Sequence, residues 1–107
     1  MTIQRAQPAD AVALTALAMR SKDHWGYGPQ QIAAWKADLT VTPDYIAEHA
    51  VYRLQEGGAW VGFYAFEHQD QARVKLTFLF VDPPYIGQGY GKILFDDLLQ
   101  RLKDTAY

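Results

Sequence analysis

Residues 76–99 read Leu-Thr-Phe-Leu-Phe-Val (76–81), Asp-Pro-Pro-Tyr-Ile (82–86), Gly-Gln-Gly-Tyr-Gly-Lys (87–92) and Ile-Leu-Phe-Asp-Asp-Leu-Leu (93–99). The first block predicts a buried strand, the second a proline-containing turn, and the last an amphipathic helix. The glycines between turn and helix let backbone N–H groups crowd together and point outward, at a helix end that carries roughly half a positive charge. The stretch therefore predicts an anion site suited to pyrophosphate.

The first turn of the predicted helix supports this interpretation. It contains no carboxylate, although carboxylates are favoured there, and it contains Lys92, whose charge is unfavourable at the positive end of the dipole. A bound polyanion would remove that conflict. The alternative is that Gly87, Gly89 and Gly91 only form a turn and that Lys92 points into solvent.

The spacing of the loop excludes two common phosphate motifs. A P-loop needs a glycine at its first position and Ser or Thr after its lysine, but Ile86 and Ile93 stand there. A dinucleotide-binding motif needs a third glycine three residues after the second. Depending on which glycine begins the count, that position holds Lys92 or Leu94.

The loop resembles the acyl-CoA loop of the GCN5-related N-acetyltransferases, whose signature is Arg or Gln, two residues, Gly, one residue, then Gly or Ala. Residues 86–91 read Ile-Gly-Gln-Gly-Tyr-Gly, after a Val-Asp-Pro strand end (81–83) that also resembles the family. Gly89 and Gly91 match the two small positions. Ile86 departs from Arg or Gln, which removes a polar side chain that would help to hold the loop but leaves the backbone donors in place.

Composition limits the class of protein. The chain has 107 residues, which suits one domain over residues 1–107 with a modest core. Its net charge is −2 and it has no basic tract, so nucleic acid is not expected as a partner. Cysteine is absent, which excludes disulfides, thiolate zinc sites and a cysteine nucleophile. No apolar run approaches membrane length and residues 1–5 lack a signal core, so we expect a cytoplasmic protein without membrane contact.

Hydrophobic periodicity predicts helices and strands along the chain. Helices are expected at residues 8–21, 29–39, 43–48 behind an N-capping Thr42, and 89–104. A short strand is expected at residues 2–5, and an antiparallel meander at residues 49–55, 59–67 and 72–81. Apolar residues on both faces of the last strand predict a central strand that is covered above and below.

The order of these elements also resembles the acetyltransferase family over essentially the whole chain. The resemblance implies an α+β fold with a mixed, mainly antiparallel sheet flanked by helices. Residues 101–107 end where the family continues with a fifth strand, a fourth helix and a closing strand pair. We therefore expect a C-terminally truncated form of the fold, or a fragment of a longer domain. An apolar strand edge left open in this way favours pairing, so we expect a homodimer, including one formed by element exchange.

The resemblance further implies transfer of an acetyl group from acetyl-CoA to a primary amine on a small molecule or a protein. The backbone around Leu79, Phe80 and Val81 would hold the pantetheine arm and supply a hydrogen-bond donor to the developing oxyanion. The pyrophosphate would be held by the loop residues Gly87, Gln88, Gly89, Tyr90, Gly91 and Lys92. Trp25 and Tyr27 stand where many members line the acceptor pocket, the alternative being that both rings pack on the core.

The general base is harder to assign from the sequence. Residues 73–77 contain no carboxylate, although histone-type members carry their glutamate there. The catalytic candidates are therefore Glu67 and His24, with His68 and a bound water as alternatives. Candidate acids for the leaving thiolate are Tyr27, Tyr64, Tyr85 and Tyr90. The three histidines lack the spacing of metal ligands on one element, so no metal is expected.

Two other classes of function remain open at this point. One is a non-catalytic module that binds CoA or a partner, because the C-terminal part of the family's site and the usual strand carboxylate are missing. The other is an inactive, truncated acetyltransferase that survives by self-association.

Overall fold

The computed structural model describes residues 2–24, 30–31, 34, 38–70 and 73–104. Within these residues the strands are β1 (Thr2–Arg5), β2 (Ala50–Glu56), β3 (Ala59–His68) and β4 (Val74–Val81). The helices are α1 (Ala11–His24), α2 (Pro43–Glu48) and α3 (Tyr90–Asp104), with 3-10 turns at Pro8–Asp10 and Pro83–Tyr85. Of the predicted helix at 29–39, residues 30, 31, 34, 38 and 39 are described and are helical; the others lie outside the described residues.

The strands form one sheet in the order β1-β2-β3-β4, and each neighbouring pair is antiparallel. Gly57 and Gly58 make the turn between β2 and β3 with positive φ angles of 58° and 84°, a conformation that glycine adopts without a steric penalty. Helices α1 and α2 contribute to the core on one face of the sheet, and α3 contributes to the core on the other. The predicted α+β fold, with a mainly antiparallel sheet between helices, is confirmed.

Local capping fixes where the first helices begin. The predicted first helix starts as the 3-10 turn Pro8–Asp10 and then continues as α1 to His24, three residues beyond its predicted end. Helix α2 begins as expected, because the Thr42 hydroxyl accepts a hydrogen bond of 3.0 Å from the Tyr45 N–H. The Thr15 hydroxyl accepts from the Val41 N–H at 2.8 Å and donates to the Val41 carbonyl, which fastens the segment before α2 to α1.

Two hydrophobic clusters hold the layers together. On one face, Leu14, Leu17 and Ala18 of α1 are fully buried with sheet residues that include Phe63 and Phe78. On the other face, α3 is buried through the side chains of Leu94 and Leu98, which pack with Leu54, Val61, Tyr64 and Phe66. Burial of a side chain of this size contributes about 1.5–3 kcal/mol, so these contacts set the position of both helices on the sheet.

Gly62 allows α3 to pack closely on β3. A Cβ atom at this position would lie 2.5 Å from the Phe80 carbonyl oxygen and 3.0 Å from Leu94 Cδ1. We expect Gly62→Ala to lower the free energy of unfolding by roughly 1–3 kcal/mol because the backbone must shift. Denaturant unfolding measures this, with Gly91→Ala as control, since a Cβ there meets only Val81 Cγ2 at 4.0 Å. Equal stabilities of the two variants would contradict the prediction.

The prediction that residues 76–81 form a covered central strand is wrong for the part of the chain that the structure describes. There β4 is the edge strand, and Leu76 remains 42% exposed. The strand also contains a bulge, because Phe78 pairs with Ala65 but Leu76, two residues earlier, pairs with the next residue, Phe66. The extra residue, Thr77, moves Leu76 to the face of the sheet that carries α3.

Helix α3 has an apolar side that the sheet leaves exposed. Phe95 and Leu99 are each 42% exposed. Asp97 and Arg101, which contact Tyr64 on β3, lie on the other side of the helix. At 3.6 residues per turn, Phe95 lies about 160° around the axis from Asp97, so it faces the β4 edge. Leu76 is exposed on the same face of the sheet, and Leu76, Phe95 and Leu99 are together called the edge patch below.

The homodimer expected from the sequence stays a prediction, and the edge patch is where we expect a second copy to bind. Two β4 edges paired through their first halves, around Leu76, would satisfy the open backbone groups there and bury Leu76 of both copies, while Leu79 and Val81 stay open. Light scattering at micromolar concentration is expected to give the mass of a dimer, and Leu76→Lys the mass of a monomer. Val12→Lys, at an apolar residue 83% exposed outside the patch, is the control. A monomeric wild type would contradict the prediction.

Candidate functional site

The glycine-rich loop continues directly from the sheet edge. After β4, the Tyr85 N–H donates to the Asp82 carbonyl at 2.9 Å, and the Ile86 N–H donates to the Pro83 carbonyl at 3.2 Å. The chain then passes through Gly87 and Gly89, whose φ angles are 84° and 88°. Side chains rarely adopt these positive angles, which explains why the loop uses glycine at both positions. The result is a tight reversal that ends at the first residue of α3.

The amide N–H groups of residues 87–92 are hydrogen-bond donors without an acceptor among the described residues. The first helical bond of α3 is made by the next residue, Ile93, whose N–H donates to the Gly89 carbonyl at 3.2 Å. Unpaired N–H groups at a helix start carry the positive end of the helix dipole. The loop therefore presents several neighbouring donors and a positive potential, which together favour an anion.

Four of these residues, Gly87, Gly89, Tyr90 and Gly91, border a cavity of about 480 Å³ between α1 and the loop. The cavity is lined by Ser21, Lys22, Leu79, Phe80, Val81, Tyr85, Ile86, Gly87, Gly89, Tyr90 and Gly91. All the residues expected to bind the cofactor line it except Gln88 and Lys92. The described residues of its lining include the cation Lys22 but no carboxylate.

Gln88 and Lys92 point away from the cavity. The Gln88 side chain donates to the Pro84 carbonyl at 3.0 Å and so braces the turn from outside. Lys92 lies 3.1 Å from Asp96, one helical turn later, and its side chain is 83% exposed. Asp96 already offsets the unfavourable charge of Lys92, so the argument that a polyanion must do so is not supported. The case for an anion rests on the backbone donors instead.

The end of β4 supplies further backbone groups to the cavity. The Asp82 N–H donates to the Val61 carbonyl at 2.7 Å, and Val81 pairs with Gly62. In an antiparallel ladder, alternate residues direct their N–H and C=O groups toward and away from the neighbouring strand. The groups of Leu79 and Val81 therefore point to the open edge of the sheet. Those of Phe80 point to β3.

The opposite wall of the cavity comes from the last turns of α1. Arg20 holds it in place through two hydrogen bonds to Asp82, of 2.8 and 3.2 Å. The next two residues, Ser21 and Lys22, also line the cavity. The loop motif assigned neither of them a role in ligand binding. A signal was present in the sequence, because Ser21 follows Leu14 by seven residues and continues the buried stripe of α1 with a polar side chain.

Glu67 lies at the end of β3, outside the cavity lining. Its Oε2 atom accepts hydrogen bonds from the Tyr45 hydroxyl at 2.9 Å and the Thr77 hydroxyl at 3.0 Å. The bond from Tyr45 is the main cause that lowers the pKa of Glu67. Glu67 pairs with Lys75, four residues before Leu79 and so roughly 13 Å away along the strand. This arrangement joins α2 to β4, and its role as a general base stays a prediction.

The other candidate residues fall in three places. His24 is the exposed last residue of α1 and does not line the cavity, whereas Trp25 and Tyr27 lie outside the described residues. Tyr64 is fully buried and donates to Asp97 beneath α3, so it has no access to the cavity. Tyr85 and Tyr90 line the cavity and meet edge to face, with ring centroids 5.9 Å apart.

Within the described ranges, no three His, Asp or Glu side chains lie close enough together to hold a metal ion. None of the described helices combines the length and the apolar character that crossing a membrane requires.

The model of the acetyltransferase (GNAT) family matches residues 13–107. The chain belongs to the GNAT acetyltransferase family. A comparison with curated proteins gave no significant match.

Solved GNAT-type structures share the fold of this chain. PaiA N-acetyltransferase from Thermoplasma acidophilum, in complex with coenzyme A, superposes with a TM-score of 0.82 at 16% identity, over 97% of this chain and 72% of that one. A GCN5-related N-acetyltransferase from Rhodopseudomonas palustris has a TM-score of 0.76 at 23% identity, over 99% and 68%. An IAA acetyltransferase from Bacillus cereus has a TM-score of 0.66 at 18% identity, over 97% and 59%. The GNAT fold of this chain thus spans between 59% and 72% of these three solved chains.

Proposed function

We propose that this GNAT chain binds acetyl-CoA in the cavity between α1 and the glycine-rich loop and transfers the acetyl group to a primary amine. The observation that carries the proposal is the set of unpaired amide donors of Gly87, Gly89, Tyr90 and Gly91, which border the same cavity as Lys22. No carboxylate belongs to the described part of that cavity's lining. The complex of PaiA N-acetyltransferase with coenzyme A, which has the same fold, supports this choice of ligand.

The phosphate groups of the ligand would occupy the positive end of the cavity. Hydrogen bonds to a charged acceptor are worth about 1.5–3 kcal/mol each, and several amides of the loop are available at once. Lys22 adds a cationic side chain from the other wall. Together they fit a pyrophosphate better than a single carboxylate, because one carboxylate has too few oxygens to accept from all of these donors.

The pantetheine arm would lie along the end of β4. Leu79 and Val81 direct N–H and C=O groups to the open edge, where an extended chain with amide groups can pair with them. The cavity volume of about 480 Å³ suits a ligand of this kind, since such sites usually measure about 300–1,000 Å³. Ile86 and Phe80 supply apolar contacts to the methylene groups of the arm.

The reaction follows from this placement. The amine nitrogen attacks the thioester carbonyl carbon, the C–N bond forms, and the C–S bond breaks. An outward N–H of β4 would donate to the carbonyl oxygen as negative charge develops there. The proton lost by the amine passes to water, which would carry it to one of the predicted bases Glu67 and His24, since neither lines the cavity. The thiolate is protonated by water or by Tyr85 or Tyr90, whose side chains border the cavity.

Calorimetry with acetyl-CoA and with CoA tests the binding part of the proposal. We expect both ligands to bind at micromolar to millimolar concentration, and no binding at millimolar ligand would overturn the proposed function. Thiol release from acetyl-CoA with a panel of primary amines tests the transfer. Binding without thiol release would favour a non-catalytic CoA-binding module. The cytoplasm stays the compartment in which we propose that the reaction takes place.

A further inference from the structure

Ser21 is an unusual residue in the wall of the cavity. It is only 4% exposed, and apart from Tyr64, whose hydroxyl donates to Asp97, it is the one side chain with a polar group among the described residues that is buried to this degree. The residues around it in α1, such as Leu17 and Ala18, are apolar and fully buried. Its position therefore favours an apolar side chain, and the hydroxyl needs an explanation.

The Ser21 hydroxyl makes no hydrogen bond to any described residue. A helical serine commonly bonds to the carbonyl four residues earlier, but the Leu17 carbonyl does not accept from Ser21. Among the described residues, two side-chain atoms have neither a hydrogen-bond partner nor exposed surface, and both are nitrogens of Arg53. The Ser21 oxygen is not one of them, so it keeps some exposed surface. Because Ser21 lines the cavity, its free donor and acceptor are directed to whatever the cavity binds.

The surroundings of Ser21 indicate which part of a ligand it meets. The cavity lining also includes Leu79 and Phe80 of β4, which are apolar. A phosphate is strongly hydrated and needs cations or several donors, whereas a neutral amide needs one donor or acceptor on each side. The buried Ser21 suits the neutral amide. The more exposed Lys22, on the same wall, suits the phosphates.

We propose that the Ser21 hydroxyl binds an amide group of the pantetheine arm of CoA, opposite the backbone groups of Leu79 and Val81, while Lys22 binds the phosphates. This inference rests on the proposed function. The arm is then held on two sides, by backbone from β4 and by a side chain from α1. Ser21 acts as a binding residue that selects an amide-containing arm rather than any nucleotide.

Two probes separate the arm from the phosphates. CoA carries both, and ADP carries the pyrophosphate without the arm. For Ser21→Ala we expect CoA to bind about tenfold more weakly, the range for loss of one neutral hydrogen bond, and ADP to bind unchanged. For Lys22→Gln we expect both ligands to bind more weakly. A matching rise in KM for acetyl-CoA, with kcat unchanged, is expected for Ser21→Ala.

Thermal unfolding without ligand distinguishes binding from a structural role. Alanine favours a helix and removes the unpaired hydroxyl, so Ser21→Ala is expected to keep or raise the midpoint of unfolding. A lower midpoint would assign Ser21 a structural role and overturn the inference. Unchanged CoA affinity in Ser21→Ala, or equal losses for CoA and ADP, would also overturn it while leaving the proposed function intact. Failure of the wild type to bind CoA would instead overturn the proposed function.

Discussion

Replacing Gly89 by alanine is expected to weaken CoA binding by at least about tenfold. Gly89 has a φ angle of 88°, and no atom lies within 4 Å of the position where its Cβ would stand. The substitution therefore introduces no clash, and its cost of about 1–2 kcal/mol comes from the backbone conformation alone. The loop is expected to relax to a negative φ. That change turns the neighbouring amides away from the cavity and removes charge-assisted bonds to the phosphates.

Gly58 provides a matched control for this experiment. Its φ angle is 84°, a Cβ there also meets nothing within 4 Å, and it lies in the turn between β2 and β3. Gly58→Ala should lose similar stability without loss of CoA affinity. Calorimetry with CoA and thermal unfolding of both variants make the comparison. If CoA binds equally well to both, the amides of the loop do not hold the phosphates.

The free energy of unfolding is expected to fall steeply above pH 10. Burial, reinforced by the hydrogen bond to Asp97, raises the pKa of Tyr64 in the folded protein above its ordinary value of 10.0. Burial likewise raises the pKa of Tyr45 to about 12. A group that holds its proton more tightly when folded contributes full stability below its unfolded pKa and loses it as the pH rises. For Tyr64 the loss amounts to about 1.4 kcal/mol per pH unit.

Tyr64→Phe tests the origin of this loss. The variant retains the ion pair of Asp97 with Arg101, which lie 2.8 Å apart within α3, so neither charged group is left without a partner. The hydroxyl donates to Asp97 and accepts from Arg101. We expect a loss of about 1.5–3 kcal/mol at pH 7, because both partners are charged, and a shallower fall between pH 10 and 12. Denaturant unfolding at several pH values measures both. Parallel curves for wild type and variant would show that Tyr64 does not titrate with unfolding.

The elements that the sequence predicts well are those set by neighbouring residues. The two glycines at 57 and 58 fix the first hairpin. Thr42 caps helix α2, which begins at the next residue, through a hydrogen bond that spans only three residues. The prolines and glycines at 83–91 likewise fix the turn and the donors of the loop. Each of these depends on local backbone preferences, which a single sequence contains.

The features that the sequence does not reveal depend on contacts between distant segments. The bulge opposite Phe66 changes which face of the sheet Leu76 occupies. No glycine or proline near Leu76 indicates this bulge in the sequence. The ion pair of Lys92 with Asp96 has the spacing of a helical pair, but the pattern alone does not decide between that pair and a bound anion. Ser21 meets β4 only when α1 packs across the sheet. The candidate base Glu67 was found by elimination, and its contacts join α2 to β4.

The connection between α1 and the turn after β4 has a consequence for how fast a ligand exchanges. Arg20 joins α1 to Asp82, the residue after β4, but its side chain is 52% exposed. Ion pairs in such contact with water contribute at most about 1 kcal/mol, and added salt screens them. The final turn of α1 therefore separates from Asp82 at a small cost in free energy, while both hydrophobic clusters stay packed. Rising ionic strength should therefore accelerate the departure of a bound ligand, without unfolding the protein.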